Sequence, residues 1–374
     1  MISASPRIGR ITPQGLVLAA TASLALFGGN NAGSGTIADA LGLKMNDVAS
    51  KVSDLPTANR QADVWGLDFS ADSSLVASGS AHQVDVWDWG NNLTVTTLSQ
   101  PQGSESLGST NPIQFSPDGR LLALCGSKGV GEVVLRLWST KDWAVFRDIS
   151  DFQPGGCSGF AFTPDGRHLI YVINRAGLPG DNIVTIDVTT GRVEWSLKAE
   201  LFRPMALSIS PDGRLAAIAG LLSMLPAPNG SDLSTQRVKH EPQVEIVDLN
   251  RRTIVNIFKS AAAGPVAWSR DGTRIAVGGW GYIDIFDVKS GKPVTSEISP
   301  DSTHINLRFS PDGRFLLDSD MNGKGTGLGV SIWDTNRKKQ LQHISGNVSS
   351  IAFTRDGKYF AVGASGNTSI WRIK

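Results

Sequence analysis

The chain of 374 residues has two cysteines, Cys125 and Cys157. Two cannot build a disulfide-rich scaffold, and their placement lacks the ligand spacing of a structural zinc site. Charge is scarce too: 18% of residues are charged, below the usual quarter, and the net charge is +1. A near-neutral chain has no electrostatic footprint for nucleic acid, so no nucleic-acid partner is expected. There is no Gly-x-Ser-x-Gly elbow, since Gly156-Cys-Ser-Gly159 is not one, and there is no phosphate loop or Cys-x-x-Cys-His haem motif. The five histidines, His82, His168, His240, His304 and His343, show no paired spacing. No catalytic residue, cofactor or metal ligand is therefore assigned. Helical periodicity is also lacking beyond about residue 60. Glycine, by contrast, is plentiful at 41 residues, which suits many short strands joined by tight turns.

The first residues differ from the rest. Arg7 and Arg10 precede an uncharged apolar run from Leu16 to Phe27, then a small and polar stretch from Gly28 to Gly35, and no acidic residue occurs before Asp39. A basic start, a short apolar core and the small residues Ala32-Gly33-Ser34 describe an export signal. The run is short for a membrane span, which needs about 20 residues. Residues 1–34 are thus expected to be a signal peptide or N-terminal anchor, with an exported (periplasmic or extracellular) chain following. An anchored or cytoplasmic chain is the alternative. Membrane contact is expected only through this segment, if it is retained.

One phrase recurs seven times. It reads Phe115-Ser-Pro-Asp-Gly119, Phe162-Thr-Pro-Asp-Gly166, Ile209-Ser-Pro-Asp-Gly213 and Phe309-Ser-Pro-Asp-Gly313. Looser copies are Phe69-Ser-Ala-Asp-Ser73, Trp268-Ser-Arg-Asp-Gly272 and Phe353-Thr-Arg-Asp-Gly357. The aspartates at 72, 118, 165, 212, 271, 312 and 356 are separated by 46, 47, 47, 59, 41 and 44 residues. Each phrase is a turn: the hydroxyl bonds nearby backbone, Pro pre-sets φ, and Gly supplies a positive φ at the exit. Ser73 in place of Gly predicts that the first turn is strained or differently shaped. Period-two alternation flanks each turn, as in Val84-Asp-Val-Trp-Asp88 and Ile283-Asp-Ile-Phe-Asp287. Four strands at a period in the forties predict an all-β chain, a seven-bladed β-propeller with four antiparallel strands per blade, over residues 60–374. The last blade runs out of chain after its third strand. Residues 35–59, with Val48, Val52 and Leu55, are expected to be a linker that supplies the ring-closing strand.

These residues resemble the WD-repeat family. The Trp-Asp ending is literal at Trp87-Asp88 and Trp333-Asp334 and partial at Trp138-Ser139 and Trp371-Arg372. The Gly-His pair that opens many such repeats is missing, and His304 stands near its position without the Gly. The resemblance therefore implies that the family's Asp–His–Ser–Trp network is absent or incomplete here. The Ser-Pro-Asp-Gly-Arg style is similar to bacterial WD-repeat and TolB-like propellers. Tyr171-Val-Ile-Asn174 resembles the Tyr-Val-Thr-Asn-type repeats of surface and periplasmic proteins.

Departures from the repeat carry the functional expectation. The step of 59 marks an insertion from Leu221 to Pro242 containing Met224, Leu225, Arg237, Lys239 and His240. Trp280 and Tyr282 occupy the matching short loop of the next blade, Phe202 and Arg203 the link before blade four, and Arg175 the long loop of blade three. Aromatic and arginine side chains on loops of a rigid scaffold are the usual recognition anchors. The expected function is a non-catalytic scaffold that binds a protein or peptide partner of undefined identity through this top face. The alternative is a propeller enzyme or enzyme subunit, lactonase-like or dehydrogenase-accessory, acting at the central channel. Cys125 and Cys157 fall at the same ends of adjacent blades, which predicts either a disulfide in an exported chain or two buried thiols.

Overall fold

Each of the seven repeated phrases forms the same local structure. The serine or threonine hydroxyl donates to its aspartate Oδ1, at 2.6 Å in Ser116–Asp118 and Ser210–Asp212, and the same oxygen accepts the N–H two residues on. The hydroxyl oxygen then accepts the N–H five residues on, Leu121 and Leu215 in these two copies. These bonds lie within six consecutive residues, so the turn is defined by its own sequence. The exit residue has φ between 68° and 73° in all six glycine copies, and Ser73 takes φ 63°. The first turn is thus not differently shaped. It keeps the common geometry with a non-glycine residue in the left-handed region.

The computed structural model describes residues 47–57, 63–80, 83–99, 113–127, 133–150, 156–174, 180–224, 239–322 and 327–374. The expected leader, residues 1–34, lies outside them. Every regular element described is a strand. Five sheets have four strands each and one has seven, all pairings being antiparallel between neighbours in the sheet. The seven-stranded sheet contains one strand of 17 residues, Pro293–Phe309. Its first part pairs with Trp280–Asp287 and its last part with Phe315–Asn322, so it serves as the outer strand of one four-stranded unit and the inner strand of the next. Each of the seven turns then lies between the first and second strands of a four-stranded unit.

The unit carrying the last turn is completed by the N-terminal side. Ala49–Pro56 pairs with Asn367–Ile373, Ala49 opposite Ile373 and Pro56 opposite Asn367. Without it, Asn367–Ile373 would present an open hydrogen-bonding edge.

The core is a set of layers between units. Ala123, Leu135 and Leu137 of unit two pack with Phe160, Leu169 and Tyr171 of unit three. Val244 and Phe258 of unit four pack with Trp268 and Ile275 of unit five. Leu55, Ala361 and Ile370 of the last unit pack with Leu67, Val76 and Trp87 of the first, so the layers run around a closed β-propeller. Alternation along each strand supplies both faces of these layers, which is why the strands read as nearly continuous apolar runs.

Candidate functional site

The propeller has two ends. One carries the Asp turns and also the turns from third to fourth strands, where Asp88, Asp187, Asp248, Asp287 and Asp334 accept backbone N–H groups, as from Thr190 to Asp187 at 2.6 Å. The other end carries the second-to-third connections and the links between units, and most departures from the repeat gather there.

The described residues of the expected insertion, 221–224 and 239–242, are strand. Leu215–Met224 and Lys239–Asp248 form a hairpin of ten residues a side, with Leu221 opposite Pro242, Ser223 opposite His240 and Met224 opposite Lys239. The added residues continue the ladder, because extending paired strands satisfies backbone groups that a loop would leave to water. Met224, Lys239 and His240 are therefore strand residues, not loop residues. Leu225, Arg237 and Arg175 lie outside the described residues. Trp280 and Tyr282 are also in a strand, Trp280–Asp287, opposite Thr303 and Ile298. Arg203 starts the inner strand of unit four opposite Leu221, and Phe202 precedes it. Phe202, Arg203, Trp280 and Tyr282 are all exposed at this end of adjacent units. The Trp280 side chain is 77% exposed, against 39% for Trp65, the next most exposed tryptophan.

Cys125 and Cys157 meet at the same end in units two and three, joined by a disulfide with Cα atoms 6.5 Å apart. That spacing suits a bridge between adjacent sheets without backbone displacement.

The channel between the inner strands holds a cavity of 270 Å³ lined by Gln114, Ser208, Ala267, Trp268 and Arg308 among others. Arg308 is its one ionisable lining residue among those described. Burial lowers the Arg308 guanidinium, opposed by the charge of Asp68. Burial raises Asp68 to about 6, although its carboxylate accepts the Phe115 N–H at 2.7 Å. Asp68 and Gln114 both reach the backbone of the following unit, Gln114 Oε1 accepting from Phe162 N at 3.0 Å. They act as struts between inner strands.

Other acids lie within the sheets. Asp284 accepts from the Ser260 and Ser296 hydroxyls and from Ala261 N, at 2.8, 2.6 and 2.7 Å. Glu245 accepts from the backbone of Leu201 and Glu200 and from Gln243 Nε2 at 3.4 Å, while its Oε2 has no partner. Burial, with Glu200 nearby, pushes Glu245 up to about 7. His304, unassigned in the sequence, is buried with its Nδ1 2.9 Å from both carboxylate oxygens of Asp318. An aspartate from the next strand thus meets the histidine that stands near the family's Gly-His position. The sequence signal was Leu317-Asp-Ser-Asp320: two acids at i and i+2 fall on one strand face. The corresponding strands elsewhere read Leu-Leu-Ala-Leu-Cys at 121–125 and Arg-Ile-Ala-Val-Gly at 274–278.

Two stretches of the chain, residues 52–88 and 337–372, match the family model of the WD domain, G-beta repeat. A WD repeat-containing protein of Synechocystis is 28% identical over 164 residues, covering 43% of this chain and 41% of that protein. Subunit 5 of transcription initiation factor TFIID from Caenorhabditis elegans is 33% identical over 93 residues, covering 24% of this chain and 13% of the subunit. The chain thus matches less than half the length of each relative.

Proposed function

We propose, from the premise that this is a WD-repeat β-propeller, that the chain is a seven-bladed, non-catalytic scaffold that holds a protein or peptide partner at the end opposite the Asp turns. The observation that carries this reading is the exposure of Trp280. An indole presents roughly 200 Å² of surface, and covering about 150 Å² of it contributes about 3–4 kcal/mol. A rigid sheet spends that surface on solvent only at a cost, and a partner recovers it. Phe202, Arg203 and Tyr282 give the same region aromatic faces and a guanidinium, the groups enriched at the centres of protein interfaces. The relatives agree in kind, since WD-repeat proteins serve as interaction platforms and one relative is named as a subunit of an assembly. Export fits the apolar leader, and the Cys125–Cys157 bridge fits an oxidising compartment.

A photo-crosslinking amino acid at Trp280 should trap a discrete partner in cells, while the same group at Lys358 on the turn end traps none. Arg203→Glu with Trp280→Ala should abolish partner recovery and leave the melting temperature nearly unchanged. Equal labelling from both ends would sink the reading.

A further inference from the structure

Unit six contains a cluster of ionisable groups that the scaffold role leaves unused. His304 on the strand Pro293–Phe309 and Asp318 and Asp320 on Phe315–Asn322 are 3%, 1% and 7% exposed. Each offers one ligand atom, and the three atoms lie within 4.8 Å of one another. Sheet register brings them together. His304 stands directly opposite Asp320, a bulge between His304 and Asn306 shifts the pairing, and Asp318 and Asp320 share one face of their strand. The neighbouring unit fixes the histidine: His304 N donates to Gly279 O at 3.1 Å, and a Cβ at Gly278 would lie 2.9 Å from the His304 Cβ. Glycine at 278 is what lets the imidazole in.

The cluster is unbalanced as it stands. Two carboxylates face one imidazole, so even a protonated His304 leaves an excess negative charge. Apart from Asp318, the groups bearing most on Asp320 are the imidazoles of His304 and, from strand Lys339–Ser345, His343, which itself lies 3.1 Å from Ser331 Oγ. Hydrogen bonding does not absorb the excess, because His304 Nε2 and Asp320 Oδ1 are buried without a partner. Each such group costs about 1–3 kcal/mol, and a charged one more. The fold tolerates two in one place, held by backbone contacts from two units.

We propose that His304, Asp318 and Asp320 form a buried binding site for one divalent transition-metal ion of the manganese-to-zinc series. The donor set selects the ion. One imidazole with two carboxylates suits Mn²⁺ through Zn²⁺, whereas Ca²⁺ and Mg²⁺ prefer an all-oxygen shell. Bonds of about 2.0–2.2 Å span ligand atoms up to about 4.4 Å apart, so the cluster closes on an ion with side-chain shifts of a few tenths of an ångström. A dication cancels the paired carboxylates and supplies a partner to the orphaned atoms.

The test uses the full chain, stripped with chelator, desalted and titrated with Zn²⁺ and with Mn²⁺ by calorimetry at pH 7.5. One ion per chain should bind, with a rise in melting temperature, and Asp320→Asn and His304→Gln should each weaken binding at least 100-fold. Asp320→Asn removes a buried charge, so its metal-free form should melt no lower than the metal-free wild type. The half-exposed group His168, Asp187 and Glu194 is the internal control: His168→Gln should bind as wild type. Absorption at the zinc edge of the wild type should show nitrogen and oxygen neighbours with an imidazole signature, a readout independent of how the variants fold. No uptake of either ion overturns the proposal. So does uptake that survives Asp320→Asn but is lost in His168→Gln, or a zinc shell without imidazole.

Discussion

On the turn end, Asp72, Asp212 and their counterparts sit near the surface and accept a serine or threonine hydroxyl and a backbone N–H. Glu245, in the third strand of unit four, is fully buried and keeps one oxygen without a partner. The same repeat thus places carboxylates in two opposite environments. At the turns, hydrogen bonds favour the charged form: the Ser70 and Ser210 hydroxyls hold Asp72 and Asp212 below the usual carboxylate range. Inside the sheets, desolvation favours the neutral form and Glu245 rises to about 7. Repeated residues build the scaffold, and departures from the repeat carry strain, charge and exposure that the scaffold supports.

The largest test of that contrast is the disulfide, a departure that ties units two and three together. It closes a sequence separation of 32 residues, and removing such a bridge costs about 2–4 kcal/mol. Cys125→Ser with Cys157→Ser should lower the denaturation free energy by that amount under non-reducing conditions. If the midpoint does not move, the repeated turns and layers hold this sector alone. Thiol counting in denaturant should find no free thiol in wild type purified without reductant.

Next in size is the response to pH, where the two kinds of carboxylate act with opposite sign. A lowered folded pKa gives stability that is present above the unfolded value and lost as pH falls through the folded one. The turn aspartates therefore destabilise the chain below about pH 4. A raised folded pKa gives stability that is lost as pH rises between the unfolded and folded values. Glu245 and Asp68 therefore destabilise the chain progressively from about pH 4 to pH 7. Stability should be greatest in mild acid. Glu245→Gln should raise the denaturation free energy at pH 8 by on the order of 1–3 kcal/mol and leave it nearly unchanged at pH 4. An equal effect at both pH values would show that Glu245 acts through packing and not through its charge.

What the sequence makes legible follows from the range of each interaction. The turns are legible because all their bonds lie within five residues, from Ser116 to Leu121 for example. The strands are legible because alternation is local, and the closing strand Ala49–Pro56 because the final unit visibly lacked a partner. The meeting of His304 with Asp318 and Asp320 depends on register and a bulge across paired strands. A hydrophobic pattern fixes which face a residue takes but not which residue stands opposite, so that chemistry waits for the structure.

The smallest expected effect tests whether two irregular turns are defects or a matched pair. The sequence departs from the repeat at Ser73, where the other turns have glycine, and at Arg355, where four of them have proline. Taken singly, each is a loss: a serine in the left-handed region costs about 1 kcal/mol or more, and proline pre-sets its turn. The structure joins them across the seam between the last unit and the first, where Arg355 N donates to Ser73 Oγ at 3.0 Å. At other seams the turn glycine packs against the preceding unit's proline ring, Gly213 on Pro164 and Gly357 on Pro311. Proline has no N–H to donate and glycine no side-chain oxygen to accept, so neither half of the seam bond is available to the consensus residues. The bond returns about 0.5–1 kcal/mol, close to the backbone cost of the serine. Ser73→Gly, which relieves the strain and forfeits the bond, should therefore fall within about 0.5 kcal/mol of wild type. Ser73→Ala, which keeps the strain and forfeits the bond, should be less stable by about 1 kcal/mol. Chemical denaturation of the three chains at one pH orders them. If alanine matches wild type, the seam bond contributes nothing; if glycine is more stable by over 1 kcal/mol, the first turn is a strained copy of the repeat and the pairing with Arg355 is incidental.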